Sequence, residues 1–201
     1  MQLVGNAASP FVRKVRVMLL ETEQDDEVEM IETVTTPVTP SAEASAANPM
    51  KKVPALIRPD GCTLYDSRVI TRFLDARADA GLYKERRIWE VLTLEATADG
   101  IMDAAVLMVY EGRVRPEEKR YDVWVDAQWS KIEGALDALV ARWMSHLAGP
   151  IDAGQIAIGC ALGYLDFRHG DRDWRTGRAE LASWYEAFSQ RPSMAATAPA
   201  G

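Results

Sequence analysis

A change of periodicity near residue 80 divides this 201-residue chain into two parts. Before it, short apolar runs alternate with turn residues and with one helix-like stretch after another. From about residue 85 onward, apolar residues recur at three- and four-residue spacing, and no strand pattern returns. We therefore predict an αβ domain over residues 1–78, followed by an all-helical domain over residues 85–201.

The first part has the order strand, helix, strand, loop, hairpin and helix. A strand candidate at residues 1–5 precedes a helical run over 9–22, and a second strand candidate follows at 28–34. This order is typical of a parallel βαβ unit. A Pro-Asp-Gly turn at 59–61 between two apolar runs predicts a β-hairpin. Together these signals favour a mixed sheet in an αβ layer.

Composition excludes several classes of function. A net charge of −7 argues against nucleic acid or an anionic membrane as the main partner. The two cysteines and two histidines stand far apart, which argues against a metal site and against Cys/His catalysis. The N-terminus lacks the pattern of a signal peptide, and no uncharged run is long enough to span a membrane. We expect a cytoplasmic protein.

The segment Ser9-Pro10-Phe11 lies where the first strand gives way to a helix. Ser before Pro is a common helix start, with Ser as N-cap and Pro at the first helical position. A helix N-terminus also presents free N–H groups and about half a positive charge, which stabilise an anion such as a thiolate. Ser9 is therefore either a cap alone or a hydroxyl that also donates a hydrogen bond to a ligand.

Two further segments have a structural and a functional interpretation. Pro54 either marks the start of an edge strand, where proline is common, or follows a cis peptide bond that turns the Val53 backbone toward a ligand. Asp66 and Ser67 at a helix start either cap it or hold an ammonium and a carboxylate. Lys52 is either solvated or a ligand for an anion. Taken one at a time, each segment favours the structural interpretation.

The order and spacing of these segments resemble the glutathione transferase family. The matching stretches are "SPFVRKVRVML", "NPMKKVPALIRPDGCTLYDSRVITRFLD" and, in the helical half, "DAGQIAIGCALGYLDF". The resemblance covers nearly the whole chain and is close to small bacterial members of the family. It implies a thioredoxin-like N-terminal domain, an all-helical C-terminal domain, glutathione as cosubstrate and a homodimer.

The resemblance also implies roles for residues of the first half. Ser9 matches the serine-type position whose hydroxyl donates to the glutathione sulfur, and Phe11 follows it as a further binding candidate. Val53, before a cis Pro54, would pair its backbone with the cysteinyl part of glutathione. Lys52 would approach the glycyl carboxylate. Because position 9 is not Cys, a mixed disulfide is excluded there, which argues against thiol-transferase activity.

The other implied contacts involve the γ-glutamyl end of glutathione. Asp66 and Ser67 replace the usual Glu-Ser pair and would hold its ammonium and carboxylate, although Asp66 is one methylene shorter. Asp103 would reach the γ-glutamyl group across a dimer interface. Asp152 and Gln155 have the spacing of a capping box, with Asp where the family usually has Ser or Thr.

The resemblance implies that the glutathione thiolate attacks a small hydrophobic electrophile, as in detoxification. Four residues of the helical half are either the walls of the electrophile site or simply core residues: Met102, Val106, Tyr110 and Tyr164. Two alternatives stay open: a glutathione-binding interaction module without catalysis, and a glutathione-dependent lyase, isomerase or peroxidase.

Overall fold

A four-stranded mixed sheet forms the centre of the first of two units in the computed structural model, which describes residues 1–199. The strand order is β2-β1-β3-β4. β1 pairs in parallel with β2, and β3 runs antiparallel to both β1 and β4. The strands are β1 (Gln2–Gly5), β2 (Glu29–Glu32), β3 (Ala55–Ile57) and β4 (Thr63–Leu64).

Helices make up the rest of the regular structure. They are α1 (Pro10–Glu21), α2 (Ala42–Ala47), α3 (Ser67–Ala78), α4 (Ile88–Val114), α5 (Asp122–Arg142), α6 (Met144–Leu147), α7 (Ala153–His169), α8 (Ala179–Ser189) and α9 (Pro192–Ala196). Short 3₁₀ turns lie at Asp25–Glu27, Glu85–Arg87, Glu117–Lys119 and Gly170–Arg172. The mixed αβ part followed by a helical part matches the fold class expected from the sequence.

Helix α1 is held against the sheet and against α3 by its apolar stripe. The stripe residues Val12, Val15 and Met18 are fully buried. A Cβ at Gly5, the last residue of β1, would lie 2.5 Å from a methyl group of Val12. Glycine at this position therefore permits the close approach of β1 and α1, which sets where the chain between them runs.

Helix α9 belongs to the first unit, together with residues 1–88. We expected residues 85–201 to form one helical domain, whereas α9 packs on α1. The buried guanidinium of Arg13 donates to the carbonyl oxygen of Met194 at 3.0 Å, and Ser193 bonds the carboxylate of Glu21. A buried charge needs such partners, and periodicity alone does not reveal them.

Helix α7 is the core of the second unit, which comprises residues 89–191. Every residue from 153 to 165 is buried, as the almost wholly apolar pattern predicted. Its start is a capping box: the backbone N–H of Gln155 donates to Asp152 Oδ1 at 3.1 Å, and Gln155 Oε1 accepts from the backbone N–H of Asp152 at 2.7 Å. Within residues 1–199, no helix has the length and apolar character needed to cross a membrane.

We predict that Gly154→Ala destabilises the second unit and that Gly134→Ala does not. A Cβ at Gly154 would lie 2.8 Å from Leu94 Cβ and 3.1 Å from the Val91 carbonyl oxygen. Such overpacking costs about 1–3 kcal/mol of unfolding free energy. A Cβ at Gly134, within α5, meets nothing within 4 Å among the described residues. Alanine there should raise the unfolding free energy by up to ~1 kcal/mol, because alanine favours the helix over glycine. Urea unfolding of both variants measures the difference, and equal stabilities would contradict the packing.

Candidate functional site

Three segments of the first unit meet at one edge of the sheet. Val4 pairs with Ala55 in the antiparallel register of β1 and β3. The chain that leaves β1 toward Ser9 and the chain that enters β3 at residues 53–54 therefore lie at the same edge. Leu64 pairs with Leu56, so the chain that leaves β4 also reaches this edge before α3 begins. The register thus brings together the three segments that the sequence singled out.

Ser9 is the N-cap of α1 in extended conformation, at φ −79° and ψ 124°. Its Oγ accepts a hydrogen bond from the backbone N–H of Val12 at 3.4 Å, and the residue is half-buried. Capping uses a lone pair of the hydroxyl oxygen, so the hydroxyl proton stays available for a ligand. In the same first turn, the backbone N–H of Phe11 has no hydrogen-bond partner within residues 1–199. This helix start therefore offers two donors together with the positive end of the helix dipole.

Val53 enters β3 through a cis peptide bond to Pro54, as the family resemblance implies. Among the hydrogen bonds of the described residues, none uses the backbone N–H or carbonyl oxygen of Val53. Val53 as a residue is half-buried. A ligand with an extended backbone could pair with both of these main-chain groups, as one strand pairs with another.

The loop before Val53 is held by Asn48, which was not among the residues predicted from the sequence. Its buried amide donates to the carbonyl oxygen of Lys52 at 3.0 Å, and its Oδ1 accepts from the backbone N–H of Met50 at 2.9 Å. Asx turns of this kind fix a loop locally, and the Asn-Pro dipeptide was the available signal. The Lys52 side chain is exposed.

Asp66 is the N-cap of α3 and pairs with Arg68. Its Oδ1 accepts from the backbone N–H of Arg68 at 3.1 Å, and its Oδ2 accepts from Arg68 Nη2 at 2.7 Å. The Arg68 side chain is the main cause that lowers the pKa of Asp66, so the carboxylate is ionised at neutral pH. Arg68 was not among the residues predicted from the sequence, although an Asp-x-Arg spacing at a helix start is a signal for it.

The first N–H of α3 belongs to Ser67. Within residues 1–199 no hydrogen bond uses this N–H, although the residue as a whole is buried. A buried, unpaired N–H at a helix N-terminus is a ready site for a carboxylate. Asp66 beside it supplies the opposite charge, so this corner can receive an ammonium and a carboxylate together.

Asp103 lies apart from these segments, on α4 of the second unit, where its side chain is exposed. Its contact with glutathione across a dimer interface stays a prediction. Of the four wall or core candidates, Met102 and Tyr164 are buried, and Val106 and Tyr110 are half-buried. Among residues 1–199, no three metal-ligating side chains come together.

Both halves of the chain match known families. Residues 8–77 match the family model described as "Glutathione S-transferase, N-terminal domain", and residues 122–187 match "Glutathione S-transferase, C-terminal domain". The chain belongs to the glutathione S-transferase family. The chain is 33% identical over 204 residues to the uncharacterized GST-like protein YibF of Escherichia coli (strain K12). The match covers 99% of this chain and 98% of that protein.

Solved structures of the family have nearly the same fold as this chain. A glutathione transferase family member from Pseudomonas fluorescens Pf-5, with bound glutathione, has a TM-score of 0.93 and 45% identity, covering 100% of this chain and 99% of that one. A structure from the same organism with bound S-(propanoic acid)-glutathione has a TM-score of 0.91 and 46% identity, and the match covers 99% of both chains. The predicted family and fold are thus confirmed.

Arg68→Gln should raise the pKa of Asp66 toward its ordinary value of 3.8, because the variant lacks the guanidinium that favours the charged carboxylate. Carboxyl-carbon NMR across an acid titration measures the change. Arg72→Gln is the matched control, since Arg72 lies on the same helix but stands over the ring of Tyr83, at 5.3 Å.

The sign of the stability effect follows from the same contact. Folding lowers the pKa of Asp66, so its stabilisation is present above the unfolded value and is lost as pH falls through the folded value. The stability difference between the wild type and Arg68→Gln should therefore shrink in acid. An unchanged pKa in Arg68→Gln, or the same shift in Arg72→Gln, would contradict the assignment.

Proposed function

We propose that this protein is a serine-type glutathione transferase that binds glutathione at the sheet edge formed by Ser9, Val53 and Ser67. One observation carries the proposal: unpaired main-chain groups at three segments converge beside a helix-capping hydroxyl. Backbone groups left without partners are rare in folded proteins, and they cluster where a ligand supplies the partners. The relative with bound glutathione, at 45% identity, supports the same ligand here.

Each part of glutathione has a suitable partner at this edge. The backbone of the cysteinyl residue pairs with the N–H and carbonyl oxygen of Val53, and the γ-glutamyl carboxylate accepts from the Ser67 N–H. The γ-glutamyl ammonium approaches Asp66, whose carboxylate it shares with Arg68. Lys52 attracts the glycyl carboxylate. These charges favour a small zwitterionic peptide over a neutral ligand of the same size.

The chemistry follows from the position of Ser9. A free thiol has a pKa of about 8.5, so only a small fraction is thiolate at neutral pH. The Ser9 hydroxyl and the unpaired Phe11 N–H lie at the positive end of α1, and both favour the charged sulfur. The thiol proton goes to solvent. The sulfur then forms a bond to an electrophilic carbon, and the leaving group departs with the bonding electron pair. With an activated alkene, the carbon next to the new bond takes a proton instead.

Conjugation is favoured over the other interpretations by the second of the two Pseudomonas fluorescens structures. The structure with bound S-(propanoic acid)-glutathione holds a thioether, which is the kind of product that a transferase forms. Binding of glutathione with no turnover across a panel of electrophiles would instead indicate an interaction module. A detoxifying role in the cytoplasm stays a prediction from the sequence.

Ser9→Ala should raise the pKa of the bound glutathione thiol by about one unit or more, since the variant loses the donated hydrogen bond. Conjugation of 1-chloro-2,4-dinitrobenzene at pH 7 should fall by about tenfold or more for the same reason. The thiolate absorbance of bound glutathione against pH measures the first effect, and steady-state kinetics measures the second. Ser9→Thr keeps a hydroxyl and should keep most of the activity.

The control for this experiment is Ser41→Ala. Ser41 caps α2 of the same unit by accepting from the backbone N–H of Ala44 at 3.1 Å, so both alanine variants lose an N-cap. Each cap contributes about 1 kcal/mol. If Ser9→Ala conjugates glutathione at the wild-type rate, or if Ser41→Ala loses as much activity, Ser9 is a cap only.

The proposal includes a homodimer in which Asp103 reaches the γ-glutamyl group of glutathione bound to the other subunit. Sedimentation at micromolar concentration should show a dimer. Asp103→Asn should weaken glutathione binding by about tenfold, because a charge-assisted hydrogen bond is lost, and should leave the dimer intact. Glu133→Gln, an exposed acid on α5 of the same unit, is the control. A monomeric protein would contradict this part of the proposal.

A further inference from the structure

A cleft lies at the edge of the sheet opposite to the candidate glutathione site. Gln2 pairs with both Glu29 and Ile57, so the chain before β1, the chain before β2 and the chain after β3 meet at this edge. These three segments and helix α3 enclose a cavity of about 320 Å³. Its lining comprises Met1, Glu27, residues 58–60, Phe73 and Arg77, and all of them belong to the first unit.

Arg58 follows β3 directly and contributes a half-buried side chain to this cavity, which we call the Arg58 cleft. Its Nη2 donates to Asp60 Oδ2 at 2.6 Å, and its guanidinium carbon lies 5.8 Å from the centre of the Phe73 ring. Asp60 Oδ1 accepts from the backbone N–H of Cys62 at 3.0 Å, so the turn holds this carboxylate in place. The arginine is thus held between an acid of the turn and an aromatic ring of α3.

Two of the three guanidinium nitrogens of Arg58 have no hydrogen-bond partner within residues 1–199. Nε is buried and unpaired, and no hydrogen bond of these residues uses Nη1. A buried donor of a charged group that lacks a partner is unfavourable and rare in folded proteins. The guanidinium therefore gains free energy from a contact that gives Nε or Nη1 an acceptor.

The acids of the Arg58 cleft are already engaged. Asp60 accepts hydrogen bonds through both of its carboxylate oxygens. Glu27 accepts from Nη2 of Arg77, whose Nη1 donates to Gln24 Oε1 at 2.6 Å. Each acid thus has an arginine partner, whereas Arg58 keeps unused donors and has no acceptor to offer. A ligand for this cleft has to supply an acceptor, and a carboxylate fits the planar guanidinium best.

Phe73 and Pro59 give the Arg58 cleft flat apolar surfaces. An aromatic ring and a planar guanidinium favour a flat ligand, because such faces stack on one another. The cavity volume of about 320 Å³ is at the small end of the range for ligand pockets, about 300–1,000 Å³. The cleft therefore suits one small molecule that joins an acidic group to an apolar ring.

We propose that the Arg58 cleft binds a small carboxylic acid with a flat, apolar body, such as an aromatic carboxylate. The carboxylate accepts from Arg58, and the apolar body packs on Phe73. This cleft and the candidate glutathione site lie at opposite edges of one sheet, so the cleft is a second ligand site of the first unit. Its ligand does not depend on the proposed function.

Equilibrium binding of two matched probes tests the proposal. 2-Naphthoate and 2-naphthamide have nearly the same shape, and only the first is charged at pH 7. By titration calorimetry, the wild type should bind naphthoate about tenfold or more tightly than naphthamide, as for other hydrogen bonds to charged groups. Added salt should reduce this preference. Saturating S-propylglutathione, which occupies the glutathione site, should leave naphthoate binding unchanged.

Two variants with opposite expected effects assign the preference to the Arg58 cleft. Arg58→Gln should remove most of it, because the charged donors are lost. Asp60→Asn changes an exposed side chain and releases Nη2 of Arg58, so it should tighten naphthoate binding by up to about fivefold. Arg72→Gln is the matched control and should bind like the wild type. Arg72 is an exposed arginine that lies over the ring of Tyr83 at 5.3 Å, so this variant also removes an arginine from an aromatic face.

The outcomes decide between this cleft and other places where an aromatic acid could bind. A carboxylate preference that Arg58→Gln removes, Asp60→Asn increases and Arg72→Gln keeps supports the proposal. Equal binding of the two probes by the wild type, a preference that survives in Arg58→Gln, or naphthoate binding that S-propylglutathione abolishes overturns it. Should Arg58→Gln fail to fold, as judged by circular dichroism, Asp60→Asn decides: unchanged or weaker naphthoate binding in this variant contradicts the proposal.

Discussion

The antiparallel pairing of β1 and β3 is the constraint on which the candidate site depends. Val4 opposite Ala55 fixes where the chain toward Ser9 and the chain through Val53 emerge, and the pairing of β3 with β4 adds Ser67 at the same edge. A slip by one residue would reverse the faces of the strands and separate these segments. Ala55 and Leu56 point to opposite faces of β3 and are both fully buried, so a slip would misplace side chains in the packing on both faces of the sheet. The core packing that stabilises the sheet therefore also positions the site.

The two interpretations of Ser9 are compatible in this structure. Its oxygen accepts from the N–H of Val12, which begins α1, and its proton stays available for a sulfur. The same helix start supplies the unpaired N–H of Phe11 and the positive end of the dipole. Evolutionary replacement of this residue therefore has two costs, one in helix stability and one in thiol activation. The cap contributes about 1 kcal/mol, whereas each unit of thiol pKa corresponds to about 1.4 kcal/mol.

Local patterns in the sequence predicted most of the fold. The start of α1 at Pro10, the buried α7 and the Asp152–Gln155 capping box all follow from contacts within a few residues, and the structure confirms them. What the sequence did not predict depends on contacts between distant residues. The packing of α9 on α1 joins Arg13 to Met194, which lie 181 residues apart. Arg68 and Asn48 were missed for another reason: each acts by holding a neighbour of a site residue, and such supporting roles carry weak signals in a single sequence. The convergence of Ser9, Val53 and Ser67 came from a family resemblance, because spacing along the chain does not establish the register of a sheet.

The most direct test of the account is a crystal structure of this protein with glutathione. We expect the cysteinyl backbone to pair with the N–H and carbonyl oxygen of Val53, the γ-glutamyl carboxylate to accept from the Ser67 N–H, and the sulfur to lie about 3–3.5 Å from Ser9 Oγ. Glutathione bound away from this sheet edge, or bound there with its sulfur out of hydrogen-bond reach of Ser9, would contradict the account.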